Sequence, residues 1–176
     1  EAMRFFDDPG RKRNNHWYWL GVGLAATALS TGSERHWDMA RAIMQDAARD
    51  IAADGTLPLE LERKGRALHY HAFASMALVT LAELGAARGE DWYSFGNGAL
   101  HRLVATTAKG LEDPKVFEQR TGVAQDKDTS PGAGWLILYG QRFKDRVESG
   151  WPHIPAAHRW LGGDVLLLSK ALASPS

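Results

Sequence analysis

The sequence predicts an all-α fold, and three observations predict it. Apolar residues Trp37, Ala40, Met44, Ala47 and Ile51 recur at steps of three and four, the period of a helix with one buried face. Segments nearly free of charge, such as the run from Asn14 to Ser30, alternate with amphipathic ones. No stretch shows convincing apolar–polar alternation of the strand kind. A helix apolar on nearly all sides is buried, so an inner ring of helices wrapped by an outer ring explains the alternation. A simple helical bundle explains it as well.

The elements follow in order. The first helix covers Asn14 to about Ser30, with Asn14 or Asn15 as its cap. The amphipathic helix through Trp37 and Ile51 has Ser33 as a cap before it and Gly55 as a stop after it. A third follows Pro58, from about Arg63 to Ala87, mostly apolar beyond its first two turns. A fourth runs from about Asn97 to Lys109. Thr121 to Gly134 is a polar loop rich in Pro, Gly and Asp. Short helices fit Trp135–Phe143 and Asp164–Ala173. Exact repeats and low-complexity tracts are absent.

The bulk numbers set bounds. The 176 residues hold one sizeable core and are too few for two large domains. Lys+Arg and Asp+Glu are 21 each, which argues against a general nucleic-acid binder. Without cysteine there is no disulfide and no thiolate zinc site. Apolar stretches such as Ala72–Leu84 are too short and interrupted to span a membrane. The first residue is Glu1, and Glu-Ala-Met-Arg-Phe-Phe reads as mid-protein sequence, the expectation for a processed chain or a fragment.

Three constellations can carry chemistry. The first is Arg11-Lys12-Arg13-Asn14-Asn15-His16-Trp17-Tyr18-Trp19. If Asn15 opens a helix, Asn15, Tyr18, Trp19 and Val22 share a face. Aromatic platforms beside amides and cations such as Arg13 suit sugar rings bearing carboxylates, because guanidinium and amide donors bind the carboxylate and ring faces stack on C–H groups. A capped, Trp-rich core helix is the plainer reading of the same residues, since Trp is commonly buried. The second runs from Glu60 to His71. Arg63, Arg66 and Tyr70 fall on one helical stripe, and arginines beside a tyrosine stabilise its phenolate, which makes it a usable acid/base. The other reading is a charged helix start with Tyr70 in the core. The third, Trp151-Pro152-His153-Ile154-Pro155 with His158-Arg159-Trp160-Leu161-Gly162-Gly163-Asp164, is a loop turning into the last helix.

Other chemistries find no anchor. His69 and His71 are two apart, and no His-Glu-x-x-His occurs, so no metal is expected. Gly21-x-Gly23 lacks the third glycine of a phosphate loop, and no Gly-x-Ser-x-Gly elbow exists. Glu60 and Glu62 make a weak carboxylate pair, since alternate residues on a helix face different ways. His101 reads as a surface residue.

Asn14-Asn15-His16-x-Tyr18-Trp19 followed by Arg63-x-x-Arg66-Ala67-Leu68-x-Tyr70-His71 resembles the mannuronate-specific alginate lyases of polysaccharide lyase family five. Arg159-x-Leu161-Gly162-Gly163-Asp164 resembles that family's C-terminal segment. The resemblance implies part of an incomplete (α/α) toroid, a barrel of paired inner and outer helices. It implies that residues 1–176 are a single domain, the C-terminal half of a longer lyase domain whose missing N-terminal half supplies a lysine and aromatic residues to the cleft. It implies cleavage of acidic polysaccharide by β-elimination without a cofactor, in a periplasmic or secreted setting. Asn15, His16 and Arg63 would neutralise the uronate carboxylate, and Tyr70 would move the proton. His16 is the alternative base for some epimers. Arg66, His69 and Arg159 are cleft candidates beside Arg13, Tyr18 and Trp19. The resemblance extends to polyuronate lyases acting on polyglucuronate or hyaluronan, and a non-catalytic sugar-binding domain and a helical interaction module are the competing classes. No nucleic-acid or membrane partner is expected.

Overall fold

A computed structural model describes residues 13–126, 133–146, 157–158 and 161–173. Helix α1 (Asn15–Thr31) starts where the Asn14 side chain accepts the His16 N–H at 3.2 Å, an N-cap that satisfies one orphan donor. It ends at Gly32, whose φ of 70° closes the last turn. Helix α2 (Glu34–Asp50) returns along it and buries Trp37, Ala40, Ile43, Met44, Ala47 and Ala48. Ser33 stands at the cap position but makes no capping bond; its Oγ lies 2.8 Å from His36 Nδ1. The helix stops at Asp50, and Gly55 (φ 79°) shapes the turn that follows instead of the helix end.

The chain then departs from the predicted third helix. Helix α3 (Pro58–Leu61) is a single turn, a 3₁₀ turn follows at Lys64–Arg66, and the long helix α4 (Ala67–Ala87) begins four residues later than expected. The break lies at Lys64, which has φ 55°, a conformation no right-handed helix accommodates. Gln125 holds this turn from a distance: its Oε1 accepts the Leu68 N–H at 3.0 Å and its Nε2 donates to the Lys64 carbonyl at 3.1 Å.

Helix α5 (Phe95–Glu112) opens with Gly96, Asn97 and Gly98 in left-handed geometry and becomes regular at Ala99. Helix α6 (Lys115–Thr121) was not foreseen; Pro114 precedes it and Phe117 is its buried anchor. Helices α7 (Gly134–Arg142) and α8 (Val165–Ala173) match the two short predicted helices. Ala157–His158 and Gly163–Asp164 pair as a two-residue antiparallel ladder.

The helices form hairpins, α1 with α2, α4 with α5 and α7 with α8. First members touch first members (α1 with α4, α4 with α7), and α2 touches α5. That is an inner row and an outer row. The inner helix α4 is buried nearly all round, as its lack of charge requires. Where α1 approaches α2 and α4 there is no room for a side chain: a Cβ on Gly21 would stand 2.8 Å from Leu81 Cδ2 and 2.9 Å from Ile43 Cγ2. Helix α1 is less buried than its composition suggests, with Leu29 45% exposed.

Candidate active site

The site is built where the start of α1 meets the broken segment before α4. Asn15, the first residue of α1, is fully buried. Its backbone N–H has no helical partner, an orphan donor by position. Glu60 Oε1 accepts that N–H at 2.9 Å and the Asn15 Nδ2–H at 2.9 Å. A carboxylate at a helix N-terminus is well placed against the helix dipole. Glu60 is itself 1% exposed, and its Oε2 lies 3.6 Å from Arg63 Nε. The Arg63 guanidinium carbon stands 4.6 Å from the Tyr70 ring centroid, and that of Arg66 5.0 Å from the same ring. Arg66 Nε is also 3.9 Å from Asp126. His69 packs edge-on to Tyr70, with centroids 5.0 Å apart.

A continuous set therefore runs Asn15–Glu60–Arg63–Tyr70–Arg66. The predicted stripe of Arg63, Arg66 and Tyr70 is not on one helix, because of the break at Lys64, yet the 3₁₀ turn still brings both guanidinium groups to the ring. The Tyr70 hydroxyl takes no hydrogen bond among the described residues and the ring is half-buried. His16 follows Asn15 directly, and its side chain is exposed.

The first constellation is placed differently from its reading. Tyr18 is in the core, with its hydroxyl donating to Asp50 Oδ2 at 3.2 Å. Burial, then the negative charges of Asp50 and Glu60, push its phenol well above the ordinary range, so it is neither a platform nor an acid/base. The face that Asn15 and Tyr18 share is the buried one. Trp19 is half-buried against Phe73, centroids 5.3 Å apart, and its Nε1 meets no partner among the described residues. Arg13 lies over the Trp17 ring at 4.6 Å, within 3.5 Å of Asp46. Arg159, with Arg11, Lys12 and the run 151–156, lies outside the described residues.

One further residue supports the site. His71 is fully buried; its Nε2 accepts the Leu57 N–H at 2.9 Å and its Nδ1–H donates to the Ala67 carbonyl at 2.8 Å. This fixes the neutral tautomer, and burial lowers its pKa to about 4. It pins Leu57, and so the turn that carries Glu60, to the start of α4. His101, read as a surface residue, is half-buried, with Nδ1 2.8 Å from the Tyr139 hydroxyl. Glu60 itself was set aside in sequence as half of a weak pair with Glu62; the two do face different ways, Glu60 in and Glu62 out.

Other polar features lie apart. A cavity of about 390 Å³ between α4, α7 and α8 contains Glu83 and Arg142, which already hold one another at 2.7 and 2.8 Å. Among the described residues no group of three His, Asp or Glu side chains could hold a metal ion. Nor is any described helix long and apolar enough to cross a membrane.

The family model for alginate lyase matches residues 1–117, which include Asn15, His16, Arg63 and Tyr70. The chain belongs to the alginate lyase family. It is 41% identical over 169 residues to a polysaccharide lyase of Stenotrophomonas maltophilia (strain K279a), covering 95% of this chain and 50% of that protein. It is 34% identical over 163 residues to an alginate lyase of Pseudomonas syringae pv. syringae, covering 89% and 43%. Alginate lyase A1-III with a tyrosine replaced by phenylalanine, complexed with tetrasaccharide, superposes with a TM-score of 0.80 at 22% identity, over 91% of this chain and 49% of that one. A1-III from Sphingomonas species A1 gives 0.78 at 24% identity, over 93% and 49%. The family fold, an incomplete α/α toroid, is the one the inner and outer rows build here. The chain spans about half the length of these relatives.

Proposed function

We propose that this chain carries the reactive part of a lyase that cleaves alginate, with a preference for mannuronate, by β-elimination. The observation that carries the reading is the pair of guanidinium groups against Tyr70, with Arg63 tied through Glu60 to the residue that precedes His16. In β-elimination the C5 proton leaves, the bond to O4 breaks and a C4–C5 double bond forms. The C5 proton is weakly acidic because the neighbouring carboxylate is already negative. Positive charge and donors placed there in advance stabilise the dianionic intermediate, by roughly 3–4 kcal/mol for a well-placed group. Arg63 and His16, whose side chains are both exposed, supply that charge and those donors, and buried Asn15 acts through Glu60. Tyr70 takes the C5 proton and returns one to the leaving O4, which lies on the same side in mannuronate. Positioned acid/base work of this kind contributes about 10²–10⁴-fold.

The A1-III structures add support. One has a histidine replaced by alanine and another a tyrosine replaced by phenylalanine, each complexed with tetrasaccharide. Those two positions are as far apart along that chain as His16 and Tyr70 are here.

We further propose that the remaining part of the toroid precedes this segment and completes the cleft, and that the protein works in the periplasm or outside the cell, where acidic polysaccharide is met. The half length and the full burial of Asn15 favour a second reading, in which this chain alone binds acidic polysaccharide without turning it over. Product absorbance from polymannuronate, polyguluronate, polyglucuronate and hyaluronan tests both. The lyase reading expects unsaturated product from polymannuronate first. Binding with no absorbance change from any polymer supports the second reading and removes the first for this chain.

A further inference from the structure

We propose that Glu60 is the positioning residue of this site, a single buried carboxylate that sets the start of α1 against Arg63; the proposal rests on the lyase reading above. The two halves of the candidate machinery are far apart in sequence. His16 stands on the first turn of α1, and Arg63 and Tyr70 flank the start of α4. Glu60 bridges them. One oxygen takes two N–H donors of Asn15, the residue directly before His16, both at 2.9 Å. The other oxygen faces Arg63 Nε at 3.6 Å and takes no hydrogen bond among the described residues.

Burial makes this arrangement costly unless it is used. A carboxylate 1% exposed loses its hydration and needs charged or N–H partners in return. A neutral side chain of similar shape would hold the same turn without that cost. The charge is explained by what it does to Arg63. The ion pair at the Nε edge draws the guanidinium toward the turn and leaves its terminal nitrogens for a substrate carboxylate. The same carboxylate sets the Asn15 amide and the helix start, so His16 and Arg63 keep one mutual geometry. His71, by holding Leu57 at 2.9 Å, keeps the turn bearing Glu60 in place.

Glu60→Gln separates charge from shape, because the amide oxygen can still accept from Asn15 while its NH₂ meets Arg63 donor to donor. Glu60→Asp keeps the charge and shortens the reach. The expected result for Glu60→Gln is a fall in kcat of about 10²-fold, the scale of a misplaced catalytic group, with KM changed by less than about threefold. Glu60→Asp should recover part of kcat. A purely structural role predicts instead that activity tracks the folded fraction, with kcat per folded molecule unchanged; that result overturns the proposal. A second readout separates this idea from the lyase reading. In proton–nitrogen NMR of the unsubstituted chain, the Asn15 backbone N–H and Nδ2–H signals should exchange slowly with water. Both should exchange faster in Glu60→Asp, whose shorter side chain cannot reach Asn15 and Arg63 together, and the Arg63 Nε signal should shift in Glu60→Gln, where the facing charge is removed. Unchanged exchange at Asn15 together with an unshifted Arg63 Nε signal overturns the positioning role, whereas absence of product from the unsubstituted chain, with the NMR results as expected, removes only the lyase reading.

Discussion

Lowering the pH should destabilise this fold through His71 well before most carboxylates titrate. The ring is fully buried between Leu57 and Ala67, with one nitrogen accepting and the other donating. Protonation would turn the accepting nitrogen into a donor facing the Leu57 N–H. Burial therefore lowers the folded pKa to about 4, against an ordinary 6.5. Because the folded value is depressed, the unfolded chain binds the proton first. The stabilisation is complete above about 6.5 and is lost as pH falls toward about 4, below which this group adds no further change. At roughly 1.4 kcal/mol per pH unit, the full window is worth about 3 kcal/mol, and a drop from pH 7.5 to 5 about 2 kcal/mol. The assay is urea unfolding at both pH values for the natural chain and for His71→Gln. Other groups titrate in both proteins, so their contributions cancel in the comparison. The natural chain should lose about 2 kcal/mol more than the variant over that interval. Equal losses in the two would refute the argument that His71 is held neutral.

Two other substitutions test the frame around the site. Gly21→Ala puts a Cβ within 2.9 Å of Leu81 and Ile43, where α1 meets α2 and α4; the expected cost is about 1–3 kcal/mol, read as a lower melting temperature, and an unchanged melting point would contradict the close approach. Gln125→Ala strips the Leu68 N–H and the Lys64 carbonyl of their partner; a loss of about 1–2 kcal/mol is expected, with faster amide exchange at Leu68, and unaltered exchange there would count against the clamp.

Much of the fold was legible because helix period and polarity are local. The steps of three and four through Trp37 and Ile51 mark α2, and the scarcity of charge beyond Arg66 marks α4 as an inner helix. The break at Lys64 was not legible. A lysine has no preference for positive φ, and the conformation is imposed by Gln125 from sixty-odd positions away. Tyr18 was misplaced because spacing tells which residues share a face but not which face is buried; packing against Asp50 decides that. The candidate catalytic residues could be listed from the two motifs, whereas Glu60 could not. Its role depends on a contact with Asn15 that exists only once α1 lies beside the turn. His71 stood within a motif that suggested chemistry, and only its two buried hydrogen bonds show that it is structural.

The most direct measurement compares unsaturated-product absorbance on polymannuronate for the unsubstituted chain and for Tyr70→Phe, with circular dichroism run on both. Product is expected from the first, none above background from the second, a similar loss for His16→Ala, and identical helical spectra. Full activity in folded Tyr70→Phe would contradict the assignment of Tyr70 as the group that moves the proton.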